Sequence, residues 1–168
     1  GNLYLRYLHY VERLQPLALL METVPDILNY GGHNIVQEMV EALDAMGYEA
    51  RYSLINSAHH GVPQMRDRVF MIAVHKALNA EIRFPAAKHH CVLPAGYAGT
   101  RAVALKHVDM FGDPGYVEPD TGHEGLPPAV TAAEAIGDLP PITLHREGKL
   151  KRGARRFDEL SRYRNIPL

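Results

Sequence analysis

Apolar residues along the chain fall into helical, unbroken and alternating patterns, and each pattern predicts a type of element. Leu3, Tyr7, Leu8, Val11 and Leu14 recur at helical spacing, so Asn2–Leu14 reads as an amphipathic helix. Asn2 is placed to cap it and Pro16 to end it. Leu17–Met21 is an unbroken apolar run followed by Glu22-Thr23-Val24-Pro25. Such a run predicts a strand covered on both faces, as in a parallel sheet, with Glu22 at its carboxyl end. Ligands of open α/β sheets bind at that end. A second helix is expected from about Asn34, burying Ile35, Val36, Met39, Val40, Leu43 and Met46, with Gly47 as its C′ residue. Tyr48–Asn56 then alternates apolar and polar positions, which is strand behaviour. Arg68–Val74 is another apolar strand. It follows too closely for a helical crossover, so an antiparallel return is expected.

Beyond His75 no period persists. Twelve Pro and Gly residues punctuate Pro85–Pro128, and the stretch reads as irregular. Thr131 and Glu134 have capping-box spacing and predict a short helix before Leu139-Pro140. The domain reading is therefore an α/β core over 1–75, an irregular connection over 76–145 with that helix near 131–139, and a tail over 146–168.

Charge changes the picture only in its distribution. Net charge is −1, but residues 1–144 hold 10 Lys+Arg against 16 Asp+Glu, and residues 145–168 hold 8 against 3. The tail is a basic segment on an acidic body, with Arg152, Arg155 and Arg156 as candidates for DNA-backbone contact. One cysteine, Cys91, excludes an internal disulfide. His89-His90-Cys91 lacks tetrahedral ligand spacing, so no metal site is assigned and Cys91 reads as a free thiol. No apolar run is long enough to span a membrane, and no secretory signal is present. The expectation is a cytoplasmic or nuclear protein that is not secreted.

The candidate chemistry lies in two places. Gly61-Val62-Pro63-Gln64-Met65-Arg66-Asp67-Arg68 puts two arginines at i and i+2 of an extended segment, where side chains point the same way. Two such forks grip carboxylate or phosphate oxygens. The bland alternative is ion pairing of Arg66 or Arg68 with Asp67 or Glu49. Taken with Glu22, however, the segment resembles the DNA (cytosine-5) methyltransferase family. There Glu-Asn-Val follows a central strand, and Gly-x-Pro-Gln-x-Arg-x-Arg completes a pocket for a flipped cytosine. Phe84-Pro85 with Lys88-His89, and Thr131 through Ala135-Ile136 to Asp138-Leu139-Pro140, are similar to two further segments of the family.

The resemblance implies a partial Rossmann-like methyltransferase sheet with an antiparallel last strand. It also implies a reaction that uses S-adenosylmethionine on double-stranded DNA, as in restriction–modification. A thiolate adds to cytosine carbon 6, and an acid is needed at ring nitrogen 3, which the target base can reach only by leaving the duplex. Glu22 matches that acid, and burial beside an apolar strand would favour a protonated, donating carboxyl. Arg68 would face the base and Glu22, with Arg66 nearer phosphate, and Thr23, Val24, Pro25 and Gln64 would complete the substrate pocket. Thr23 departs from the family's Asn. A single hydroxyl makes fewer hydrogen bonds, which implies a rearranged pocket or a weakened relative.

The family's Gly-rich cofactor loop and Pro-Cys nucleophile are not among these residues. The chain alone is therefore expected to be inactive, with the nucleophile supplied by another segment or a second chain. An incomplete sheet would leave an exposed edge, inviting dimerisation or strand swapping. The alternative function is a non-catalytic, methyltransferase-like module that binds DNA or a partner. An oxidoreductase ranks behind both, because no G-x-G-x-x-G follows a strand.

Overall fold

A computed structural model describes residues 3–110 and 115–139. Gly1–Thr131 form one compact unit and Ala132–Leu168 a second. In the first unit, helix α1 spans Leu3–Leu14 and strand β1 Ala18–Thr23. A 3-10 turn, Pro25–Asn29, leads to α2 over Ile35–Ala45. Strands β2 (Tyr48–Asn56) and β3 (Asp67–His75) follow, and α3 spans Ala95–Met110. The second unit contains α4, Ala132–Ile136, where the capping-box spacing predicts a helix. The basic tail, including Arg152, Arg155 and Arg156, lies outside the described residues.

Local signals account for most of these boundaries. The Asn34 side chain accepts a hydrogen bond from the Gln37 N–H at 3.1 Å and so caps α2. Gly47 sits at φ +91° after the Met46 C-cap, a conformation that penalises any residue with a Cβ. The Ser57–His60 turn likewise closes on Gly61 at φ +83°.

The sheet order is β1-β3-β2, with both pairings antiparallel. The return of β3 along β2 is as expected, but β3 also lies between β2 and β1. Thus β1 and β2 run the same way without touching, and β3 fills the gap left by the α2 crossover. One face of the sheet packs against helices. Tyr48, Tyr52, Leu54, Val69 and Met71 join Leu28, Val36, Met39 and Leu43, all at most 1% exposed. Burying side chains of this size contributes about 1.5–3 kcal/mol each.

Two expectations are corrected. Strand β1 is not covered on both faces: its residues alternate between exposed and half-buried, and Leu20 is 66% exposed. Its apolar run reflects one face on the core and one open face, with no neighbour on its outer edge among the described residues. Nor is the stretch after His75 wholly irregular, since α3 is a helix of 16 residues. Its inward stripe is Arg101, Ala104, Leu105 and Val108, and a charged first member hides the period. No described helix is long and apolar enough to cross a membrane.

Candidate functional site

Strand alternation decides which predicted residues meet. Glu22 lies opposite Phe70 in the β1–β3 register, so Arg68 is its diagonal neighbour on the same face. The Arg68 Nε–H donates to Glu22 Oε1 at 2.8 Å. The Arg68 side chain is 18% exposed, whereas that of Glu22 is 51% exposed. Glu22 is therefore not the buried carboxyl expected from the apolar run, because the open face of β1 leaves it half in water. The Arg68 Nη1–H donates to its neighbour's carbonyl, Asp67 O, at 2.6 Å.

Arg66 and Arg68 also share a trough of about 430 Å³ on this open face, with Leu20, Ile55, Phe70 and Phe84 in its walls. The ion pairs of the bland alternative are absent among the described residues. Glu49 pairs with Arg51 at 3.1 Å, and Asp67 pairs with Arg101 at 2.7 Å. Arg66 is exposed.

The pocket residues around these three are not all gathered. Thr23 lies opposite Val69 and on the face away from Glu22, half-buried toward the helices. Val24 is 48% exposed and Pro25 opens the 3-10 turn. The Gln64 side chain is exposed, while its carbonyl accepts from the Ser57 hydroxyl at 2.6 Å.

Residues 1–121 match the family model for C-5 cytosine-specific DNA methylases. The chain belongs to that family. M.OihORF3336P of Oceanobacillus iheyensis, which carries the name of a type II methyltransferase, is 34% identical over 84% of this chain and 31% of its own length. The type II methyltransferase M.NgoFVII of Neisseria gonorrhoeae is 27% identical over 88% of this chain and 32% of its own. M.AquIA of Picosynechococcus sp. is 29% identical, over 85% and 52% respectively. The chain thus spans about a third of the length of the first two relatives.

Within this chain the Phe84–His89 segment is fastened to the turn before the arginines. The Lys88 and His89 N–H groups both donate to the His59 carbonyl, at 2.8 and 3.1 Å. Asp120 holds the same segment from the other side, accepting from the N–H groups of Gly122 at 2.8 Å and Ala87 at 2.9 Å. Those two donors hold its carboxyl below the usual carboxylate range. His60, at the trough wall, has its pKa lowered by burial first, then by neighbouring His59 and Lys88, against the pull of Asp120. Sequence reasoning missed Asp120 and Arg101. The helical stripe running 101, 104, 105, 108 was the available signal for Arg101; nothing local marks Asp120.

Proposed function

We propose that this chain supplies the cytosine-facing part of an S-adenosylmethionine-dependent DNA (cytosine-5) methyltransferase. The carrying observation is the 2.8 Å contact between Glu22 and Arg68, which lie 46 positions apart in two segments that resemble the family's pocket. Glu22 offers one carboxylate oxygen to Arg68 and keeps the other for the base. As a nucleophile adds at cytosine carbon 6, charge builds at ring nitrogen 3; Glu22, carrying a proton taken from water at its exposed edge, passes that proton to the nitrogen and is left as the carboxylate held by Arg68. Arg68 fixes the carboxyl and presents its cationic edge to the base, and exposed Arg66 faces the DNA backbone. Thr23 turns toward the helices, so its hydroxyl takes no part at the base.

The trough does not fit the methyl donor. S-adenosylmethionine carries a cationic sulfonium and ammonium, and the charged groups of the trough are themselves cations, Arg66 and Arg68. The donor site and the nucleophile belong to other segments or a second chain. The outer edge of β1, which has no neighbour among the described residues, is the place where further strands of a Rossmann-like sheet, or a second copy, would attach.

The test is methyl transfer from tritiated S-adenosylmethionine to unmethylated mixed-sequence duplex DNA by the complete enzyme carrying these residues. Label should appear on cytosine carbon 5 and be lost in Arg68→Ala, with cofactor binding retained. Label on another atom, or full transfer by Arg68→Ala, refutes the assignment. The 168 residues alone should transfer nothing.

A further inference from the structure

Arg68 is held from behind by residues on the opposite face of the sheet. Its Nη1–H donates to the Asp67 carbonyl at 2.6 Å, and the Asp67 carboxylate is 7% exposed. One oxygen of that carboxylate accepts from Asn56 Nδ2 at 2.9 Å and from Arg101 Nη1 at 2.7 Å. The second arm of the Arg101 guanidinium, Nη2, donates to the Leu54 carbonyl at 3.1 Å. Asn56 turns its own oxygen to the Ala58 N–H at 3.0 Å. Both side-chain donors to Asp67 are thereby committed, and the Arg101 side chain is only 14% exposed.

Helix α3 brings Arg101 to this point while gripping both halves of the candidate pocket. The Tyr97 hydroxyl donates to the Met65 carbonyl, three residues before Arg68. The Val103 carbonyl accepts from Asn29 Nδ2 at 3.0 Å, at the end of the Pro25–Asn29 turn that follows Glu22. The Glu22–Arg68 pair, half in water, is too weak to fix its own geometry. A buried, fork-shaped contact on the far side of β3 can fix it, because a guanidinium holds two acceptors in one plane.

We propose that Arg101 is a positioning residue: through Asp67 it sets the backbone at Arg68 and so the placement of Arg68 against Glu22. The proposal rests on the cytosine-pocket reading of those two residues. It makes α3, a helix that carries none of the family motifs read from the sequence, a determinant of the rate.

The test uses the complete enzyme with S-adenosylmethionine and unmethylated mixed-sequence duplex DNA. Arg101→Met keeps the bulk and removes the fork; Arg101→Lys keeps the charge and guards against a variant that fails to fold. Single-turnover methyl transfer per folded molecule should fall about ten- to a hundred-fold in Arg101→Met, as small misplacements near a reacting group do. Arg101→Lys should remain folded and recover only part of the rate, since an ammonium cannot reach both acceptors in one plane. The Arg68 Nε–H resonance should shift in both variants. In a Glu22→Gln background, Arg101→Met should cost little more, because both act on one placement. A normal rate per folded molecule with an unmoved Arg68 resonance, or costs that multiply with Glu22→Gln, overturns the positioning role. A normal rate in Glu22→Gln alone overturns the pocket reading itself and with it the proposal, so the two failures are distinguishable.

Discussion

Replacing Glu22 with Gln separates a structural carboxylate from a catalytic one, because the two roles differ in free energy. Glu22 is half-exposed and paired with Arg68 at 2.8 Å, so the pair contributes about 0–1 kcal/mol to stability. Glutamine keeps an oxygen that accepts from Arg68, which holds the loss toward the low end. A domain stable by about 5–15 kcal/mol stays almost wholly folded after such a change. Removing a general acid costs ~10²–10⁴-fold in rate. At about 1.36 kcal/mol per tenfold, that is about 3–5.5 kcal/mol of transition-state stabilisation. Rate loss should therefore exceed stability loss several-fold. Urea unfolding and single-turnover methyl transfer on the complete enzyme measure the two quantities, with duplex DNA affinity as a control expected to change little. A near-normal rate refutes the acid role and leaves Glu22 a strand-end carboxylate. A rate loss matched by loss of folded protein refutes the claim that the site and the fold are separable here.

Core and periphery give further expectations. Met71→Ala should destabilise by about 2–5 kcal/mol in denaturant unfolding, since Met71 is fully buried in the central strand of the sheet. Gly47→Ala should cost about 1–2 kcal/mol from its φ of +91° alone; the added Cβ would meet His75 Nε2 at an ordinary 3.7 Å, so a larger loss would point to a clash. Asp120 has a depressed folded pKa, so its hold on Ala87 is present above the ordinary carboxylate pKa and is lost as pH falls through the lower folded value. The Ala87 and Gly122 amide proton resonances should titrate together below the usual Asp range, and a midpoint at the usual value would count against the hydrogen bonds. Deleting residues 146–168 should lower the log–log salt slope of DNA binding by about 0.9 for each phosphate that the tail neutralises; an unchanged slope removes Arg152, Arg155 and Arg156 from the interface.

The sequence by itself determined whatever rests on near neighbours. Helices α1 and α2, the three strands and the Gly47 stop all appear where period and capping chemistry put them, because a few adjacent residues suffice to write each signal. The two arginines and Glu22 were readable as a constellation through family resemblance. The tertiary structure alone decided that β3 lies between β1 and β2, and it is this order that makes Arg68 the diagonal neighbour of Glu22. It also decided that one face of β1 stays open, since a continuous apolar run is equally compatible with one covered face or two. It placed Arg101 in a buried stripe, where a lone arginine among apolar positions breaks the pattern until its partner Asp67, 34 residues away, is in view. Periodicity records how a side chain relates to its own element. Pairing, register and buried charge depend on which other element arrives, and that information is distributed over the whole chain.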